Sequence, residues 1–189
     1  MKCFFLPLLL FTLSIYATSL AENIVVKVTN DKGQPVANAD VVAVLKSGAL
    51  EVAKLDPADG QHKCQHTEEC VKIYAAAPNH EGEVKKYPGT AGPVAVTLRP
   101  SATKSSLITR KTGVIPGVDG LIIPVFDSSG HTWLSATKFN IQSNGRTVPI
   151  LQVSLNHQVD AVTPAGKKFK ITVVDASAEA SLLEYTVPK

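Results

Sequence analysis

The chain has 189 residues, of which 44% are hydrophobic and 19% charged, and 19 Lys and Arg residues against 16 Asp and Glu residues set its formal net charge to +3 at pH 7. This small and unclustered excess excludes the basic face that a nucleic-acid-binding protein needs. The length and hydrophobic content suffice for one mid-sized domain or two small ones, and we favour two.

The first 21 residues have the order of a secretory signal peptide. Lys2 precedes an apolar run over residues 3–16, and a short polar stretch leads to the small residue Ala21. The apolar run is too short to span a bilayer comfortably. The sequence therefore predicts a periplasmic or secreted mature protein that begins at Glu22 and has no transmembrane segment.

Two cysteines, Cys64 and Cys70, remain after cleavage of this segment. An even number of thiols in an oxidising compartment predicts a disulfide. The neighbouring His62 and His66 leave open a metal site with two thiolates and two imidazoles, but the spacing matches no zinc-finger pattern. We therefore predict the disulfide, and neither a bound metal nor another cofactor.

Short segments rich in Val, Ile, Thr and Tyr, bounded by Gly, Pro, Asn or Asp, follow Glu22 and predict an all-β protein. In the first half the predicted strands are residues 24–29, 41–46, 50–54, 71–75 and 94–98. Gly33 and Gly48 mark the turns that connect some of them.

Residues 101–112 are polar and basic, and we interpret them as a linker, although Leu107 and Ile108 leave a short extra strand open. Residues 113–189 then resume the strand pattern. The predicted strands there are residues 121–126, 131–135, 138–142, 147–155, 159–162, 169–174 and 182–187. This spacing predicts a second small all-β domain, a β-barrel or a β-sandwich.

Several motifs in the first half are similar to those of a known domain family. They are V-K-V-T-N-D-K-G-Q-P-V-A-N-A-D-V over residues 26–41, D-G at residues 59–60, I-Y-A-A-A-P-N-H-E over residues 73–81, and the closing strand at residues 94–98. On these motifs, residues 24–100 resemble a carboxypeptidase regulatory-like domain. The resemblance implies a transthyretin-like β-sandwich for residues 22–100 and says little about function. The pattern differs at residues 61–70, where a polar loop replaces the usual short connection, and added loops are where binding sites tend to lie.

Candidate binding residues lie in both halves. His131 and Trp133 are two residues apart on a predicted strand, so they would share one face and offer contact area to a protein or a carbohydrate, although a core position for Trp133 stays open. His62 and His66 form the second candidate. The chain carries no nucleophile-elbow, zinc-protease, phosphate-loop or dinucleotide motif, so we predict no catalytic residues and a protein that is not an enzyme.

The leading hypothesis is an exported, non-catalytic envelope protein of two β-domains that binds another protein or a surface polymer. One alternative is a metal-assisted hydrolase that uses the His62/His66 loop with Asp59 or Glu69. Another is an inhibitor or immunity protein directed against an envelope hydrolase. A metal analysis combined with a free-thiol assay separates the hydrolase from the binding protein.

Overall fold

The computed structural model describes residues 22–66, 68–89, 92–110, 113–114, 121–125, 136–143, 146–162, 166, 168–177 and 179–186, and of residues 111–154 it describes the backbone alone. Over these residues the fold is all-β, as the sequence predicts. No helix with the length and apolarity needed to cross a membrane occurs in this part of the chain.

The described residues form fifteen strands. They are β1 (Glu22–Thr29), β2 (Asp40–Leu45), β3 (Leu50–Asp56), β4 (Gln61–His66), β5 (Cys70–Ala76), β6 (Glu83–Lys86), β7 (Val94–Thr97), β8 (Lys104–Thr109), β9 (Gly113–Val114), β10 (Leu121–Val125), β11 (Ala136–Ser143), β12 (Arg146–Ser154), β13 (Gln158–Val162), β14 (Lys168–Ala176) and β15 (Ser181–Thr186).

The first seven strands make one curved, nearly closed, barrel-like sheet in the order β6-β5-β2-β3-β4-β1-β7. All neighbours are antiparallel except β1 and β7, which run parallel. Strand β1 shows why the sheet forms here, since Ile24, Val26 and Val28 alternate with more exposed residues and are at most 2% exposed. They face a core that the sheet encloses.

Two predicted turns are confirmed by their backbone geometry. Gly33 has φ of 75°, which only glycine adopts at little cost, and its N–H donates to the carbonyl of Asn30 at 3.0 Å. Gly48 has φ of 91° and donates to the carbonyl of Leu45 at 2.9 Å. Each turn reverses the chain between two strands of the sheet.

The second half contains two antiparallel four-stranded sheets. Their strand orders are β12-β11-β10-β9 and β13-β14-β15-β8. The second of these sheets buries Phe169, Ile171, Val173, Leu183 and Tyr185 on one of its faces. The sheet thereby has a core of its own.

The opposite face of that sheet packs on the seven-stranded sheet. The strand β2 is buried on both faces: Val41 and Ala43 belong to the first core, whereas Val42 and Val44 face the second half. A shared apolar cluster therefore joins the two halves, and its fully or nearly fully buried members are Val42, Val44, Tyr74, Ala76, Ile108, Ala180 and Leu182. An unbroken apolar run such as V-V-A-V-L is typical of a strand covered on both sides.

Polar contacts cross the same boundary. Lys72 Nζ lies 2.7 Å from Asp175 Oδ2, and Arg110 pairs with Asp40. Lys104 Nζ, on β8, lies 3.2 Å from Glu81 Oε1 across the boundary and 3.4 Å from Glu184 Oε2 within its own sheet. The two halves thus meet through an apolar cluster rimmed by ion pairs.

The segment predicted as a linker contains β8, which pairs with β15 over its whole length. The short strand considered at Leu107 and Ile108 is therefore present and extends over residues 104–109. Ser106 is buried and its Oγ accepts the N–H of Ala77 at 2.9 Å, while Ser105 Oγ accepts the N–H of Asn79 at 2.8 Å. Hydroxyl groups that satisfy backbone donors explain how so polar a segment is buried.

Candidate functional site

The histidine-bearing segment is a strand and not a loop. Residues 61–66 form β4, which pairs with β1 on one side and with β3 on the other. Because alternate residues of a strand share a face, His62, Cys64 and His66 all point inward, and their exposures are 2%, 8% and 4%. The prediction of a loop is wrong for these residues. The polar composition of the segment gave no hydrophobic alternation, although alternate side chains of the strand are buried.

Each buried imidazole makes a single hydrogen bond to a backbone carbonyl. His62 Nε2 lies 3.1 Å from the carbonyl oxygen of Ala39, and His66 Nδ1 bonds the carbonyl of Glu68. A carbonyl only accepts, so each of these two nitrogens carries a proton and donates it. The other ring nitrogens, His62 Nδ1 and His66 Nε2, are buried without a hydrogen-bond partner among the described residues.

The strand keeps the two histidines apart. Four residues of strand span about 13 Å, so His62 and His66 do not converge on one ion. The acidic residues proposed to act with them are engaged elsewhere, Asp59 with Lys63 and Glu69 with Lys46. Within the described part of the chain, no group of three or more His, Cys, Asp or Glu residues is arranged to hold a metal ion.

The structure has no disulfide between Cys64 and Cys70, where the sequence predicts one. Both side chains pack in the core of the seven-stranded sheet, and the Cys70 thiol lies 3.6 Å from the carbonyl oxygen of Lys72. Burial, and secondarily the charge of Glu51, raises the pKa of the Cys64 thiol to about 11. In this state Cys64 is a packing residue and a poor nucleophile, since the thiolate is the reactive form.

A groove of about 580 Å³ opens between β3 and β4. It forms because the two strands separate. The last pair between them is Lys54 with Lys63, whereas β3 continues to pair with β2 as far as Leu50 and β4 with β1 as far as His66. The groove is lined by Asn23, Val25, Glu51, Val52, Lys54, Lys63, Cys64 and Gln65.

One end of the groove holds a fixed arrangement of charges. Lys63 Nζ lies 2.8 Å from Asp56 Oδ2 and 2.5 Å from Asp59 Oδ2. The hydrogen bonds to Lys63 lower the pKa of both carboxyl groups, and the same bonds raise the pKa of Lys63. All three groups stay charged around neutral pH. They also offset the repulsion between Lys54 and Lys63, which lie directly opposite each other.

The second predicted binding pair, His131 and Trp133, lies outside the described residues, so that surface stays a prediction. Lys63, Cys64 and Gln65 lie in the segment 61–70 that the sequence analysis marks as a candidate binding region, whereas the groove residues on β1 and β3 were not predicted. Exposed aliphatic side chains beside lysines, such as Val52 beside Lys54, were the only available signal, and single exposed apolar residues are common on protein surfaces.

Searches of family models, curated proteins and solved structures find no match to this chain.

Proposed function

We propose that the mature chain is an exported, non-catalytic binding protein of the periplasm or the extracellular medium, and that the groove between β3 and β4 is where it contacts a protein partner. The observation that carries this proposal is the separation of the two strands beyond Lys54 and Lys63, which leaves an open groove on a rigid sheet. Sites on strands hold their side chains more precisely than sites on loops.

The chemistry of the groove favours binding. Lys63, Asp56 and Asp59 are held in fixed charge states, and the Cys64 thiol stays protonated around neutral pH. Catalysis by proton transfer needs groups that titrate near the working pH. Amide, aliphatic and ammonium groups such as those of Gln65, Val25 and Lys54 instead supply contacts and charge complementarity.

The proposal includes the finer assignment of the fold. Residues 22–100 form a carboxypeptidase regulatory-like, transthyretin-like domain, and the second half is a small β-domain packed on it. The support is the position of strands and turns on the motifs quoted above, among them the turn at Gly33 and the strand β7. Small β-domains of this kind serve as rigid supports for a docking surface.

Photo-crosslinking tests the function directly. Gln65 and Val25 are replaced one at a time by benzoylphenylalanine in the full-length protein expressed in its native compartment, and the crosslinked species are identified by mass spectrometry. Lys85, an exposed residue on β6 outside the groove, is the matched control position. The proposal predicts the same crosslinked protein from both groove positions and none from Lys85.

Crosslinks only at Lys85, or none at any position, would overturn the groove as the contact surface. A crosslink to the same species from all three positions would also count against it, because it would indicate nonspecific proximity. Thermal melting of each variant checks that the replaced residues leave the fold intact.

A further inference from the structure

We infer that an extended segment of a partner protein adds as a strand between β3 and β4, with an acidic side chain beside Lys54 and a basic side chain beside Glu51. This inference rests on the proposed function and specifies how the same groove is occupied.

The strand register supports an extended occupant. Strand β3 pairs with β2 through residues 50–53, and β4 pairs with β1 through residues 62–66, but no pair joins β3 to β4 beyond Lys54 and Lys63. On the side of the groove, the backbone of residues 51–53 and 64–66 is therefore not paired with another described strand. Unpaired strand edges are templates for an added strand, which gains affinity from backbone hydrogen bonds.

The two walls do not select one direction for the added chain. Strands β3 and β4 are antiparallel to each other, so a strand between them is antiparallel to one and parallel to the other. Antiparallel pairing is slightly more stable per residue, and either direction is geometrically allowed. The two peptide directions must therefore be compared experimentally.

The charges of the β3 wall select the occupant's side chains. Glu51 and Lys54 both line the groove and are three residues apart, about 10 Å along a strand. Lys54 has no ion-pair partner among the described residues, whereas Lys63 is already held by two aspartates. Lys54 is thus the available cation and Glu51 the anion. Val25 and Val52 also line the groove, which favours an aliphatic side chain in the occupant.

The inference predicts binding of short peptides to the mature protein. The probes are fluorescein-labelled octapeptides with the core Glu-Val-Thr-Lys or its reverse, Lys-Thr-Val-Glu, flanked by Thr-Val. Fluorescence anisotropy should show that one of them binds, and that N-methylation of alternate backbone amides along the pairing edge weakens it more than 10-fold, because it removes donors without changing the side-chain charges.

A charge swap gives a second measurement. Lys54→Glu should weaken binding of the preferred peptide more than 10-fold. A peptide whose core Glu is replaced by Lys should bind the Lys54→Glu variant with most of the lost affinity restored. Lys85→Glu, the same change on exposed β6, should leave both affinities within about 2-fold, since rim charges away from a contact matter little. Equal effects of the two variants would show that only net charge matters, and the inference would be wrong.

The outcome separates this inference from the function on which it rests. If Gln65 and Val25 crosslink a protein but neither peptide binds, or N-methylation has no effect, the groove is a docking surface for a folded partner and strand addition is refuted. If the crosslinks at these positions reach a second copy of this chain or a surface polymer, the assigned occupant is wrong. If no crosslink forms at either groove position, the proposed function fails first.

Discussion

The contact between the two halves can be tested at Gly82, which lies between β5 and β6. A Cβ atom at this position would lie 2.9 Å from Leu182 Cδ1 and 3.1 Å from Ser106 Cβ. The backbone φ of Gly82 is not in the positive region, so alanine is conformationally allowed. The variant Gly82→Ala therefore introduces a steric conflict across the boundary without backbone strain.

The expected magnitudes follow from the two opposing effects. Overpacking costs about 1–3 kcal/mol, and replacing glycine by alanine lowers the entropy of the unfolded chain, which offsets about 0.4–1 kcal/mol. Gly82→Ala should therefore lower the free energy of unfolding by up to roughly 2.6 kcal/mol. Leu182 is fully buried, so Leu182→Ala should lower the free energy of unfolding by about 2–5 kcal/mol. In that background the conflict with Leu182 is gone and only the 3.1 Å approach to Ser106 Cβ remains, so Gly82→Ala should lower the free energy of unfolding by less than it does in the wild type.

Urea unfolding measures the free energies of unfolding of the wild type, Gly82→Ala, Leu182→Ala and the double variant. It is followed by circular dichroism and by the fluorescence of Trp133, the only tryptophan in the sequence. Leu183→Ala is the matched control, because Leu183 neighbours Leu182 but belongs to the core on the other face of β15. Gly82→Ala should cost the same in the Leu183→Ala background as in the wild type. If Gly82→Ala lowered the free energy of unfolding equally in the Leu182→Ala background and in the wild type, the packing of β15 against the first half would be refuted.

Two further predictions concern buried polar groups. Burial lowers the pKa of His62 below 6.5, against the opposing effects of the hydrogen bond to Ala39 and the charge of Asp40. Because the unfolded chain binds the proton more tightly than the folded chain, the contribution of His62 to the free energy of unfolding should be fully present above pH 6.5 and should fall as the pH drops from there towards the folded-state pKa. Urea unfolding between pH 7.5 and 5 should show a smaller fall for His62→Gln than for the wild type. Tyr74 is fully buried, and its hydroxyl lies near Ser177 and Asp175 but makes no hydrogen bond of good geometry with any described residue. In thermal melts, Tyr74→Phe should therefore leave the free energy of unfolding unchanged or raise it by about 1 kcal/mol. A fall in the free energy of unfolding of more than about 2 kcal/mol would show that the hydroxyl makes a stabilising hydrogen bond.

The strands β1 and β7, whose side chains the structure describes, were predicted correctly because their buried face is aliphatic. In β1 and β7 the alternation of Val or Ile with polar or small residues is directly visible, as at Val94 and Val96. Strand β4 was missed because its buried face consists of His62, Cys64 and His66, so its period of two is not a hydrophobic one. Burial of polar residues depends on hydrogen bonds to distant carbonyls, which composition does not report.

The candidate site was less predictable than the fold. The segment around His62 was singled out for its histidines, but these face the interior. On β4 the groove is lined by Lys63 and Gln65 of the opposite face, together with Cys64. The groove exists because β3 and β4 stop pairing at one position. That position depends on the neighbours to which each strand stays bound, β2 and β1, and this is tertiary information.

The strand β2 links the fold to the proposed function. Its outer face, with Val42 and Val44, would together with Tyr74 and Ala76 leave apolar side chains in water if the first half stood alone, and covering them is favourable. Strands β8 and β15 supply that cover, so the second half stabilises the sheet from the side of β2 and β5. In the same sheet, only β3 separates β2 from the groove between β3 and β4. A partner would therefore meet a preformed edge and would not have to order it on binding, which lowers the entropic cost of association.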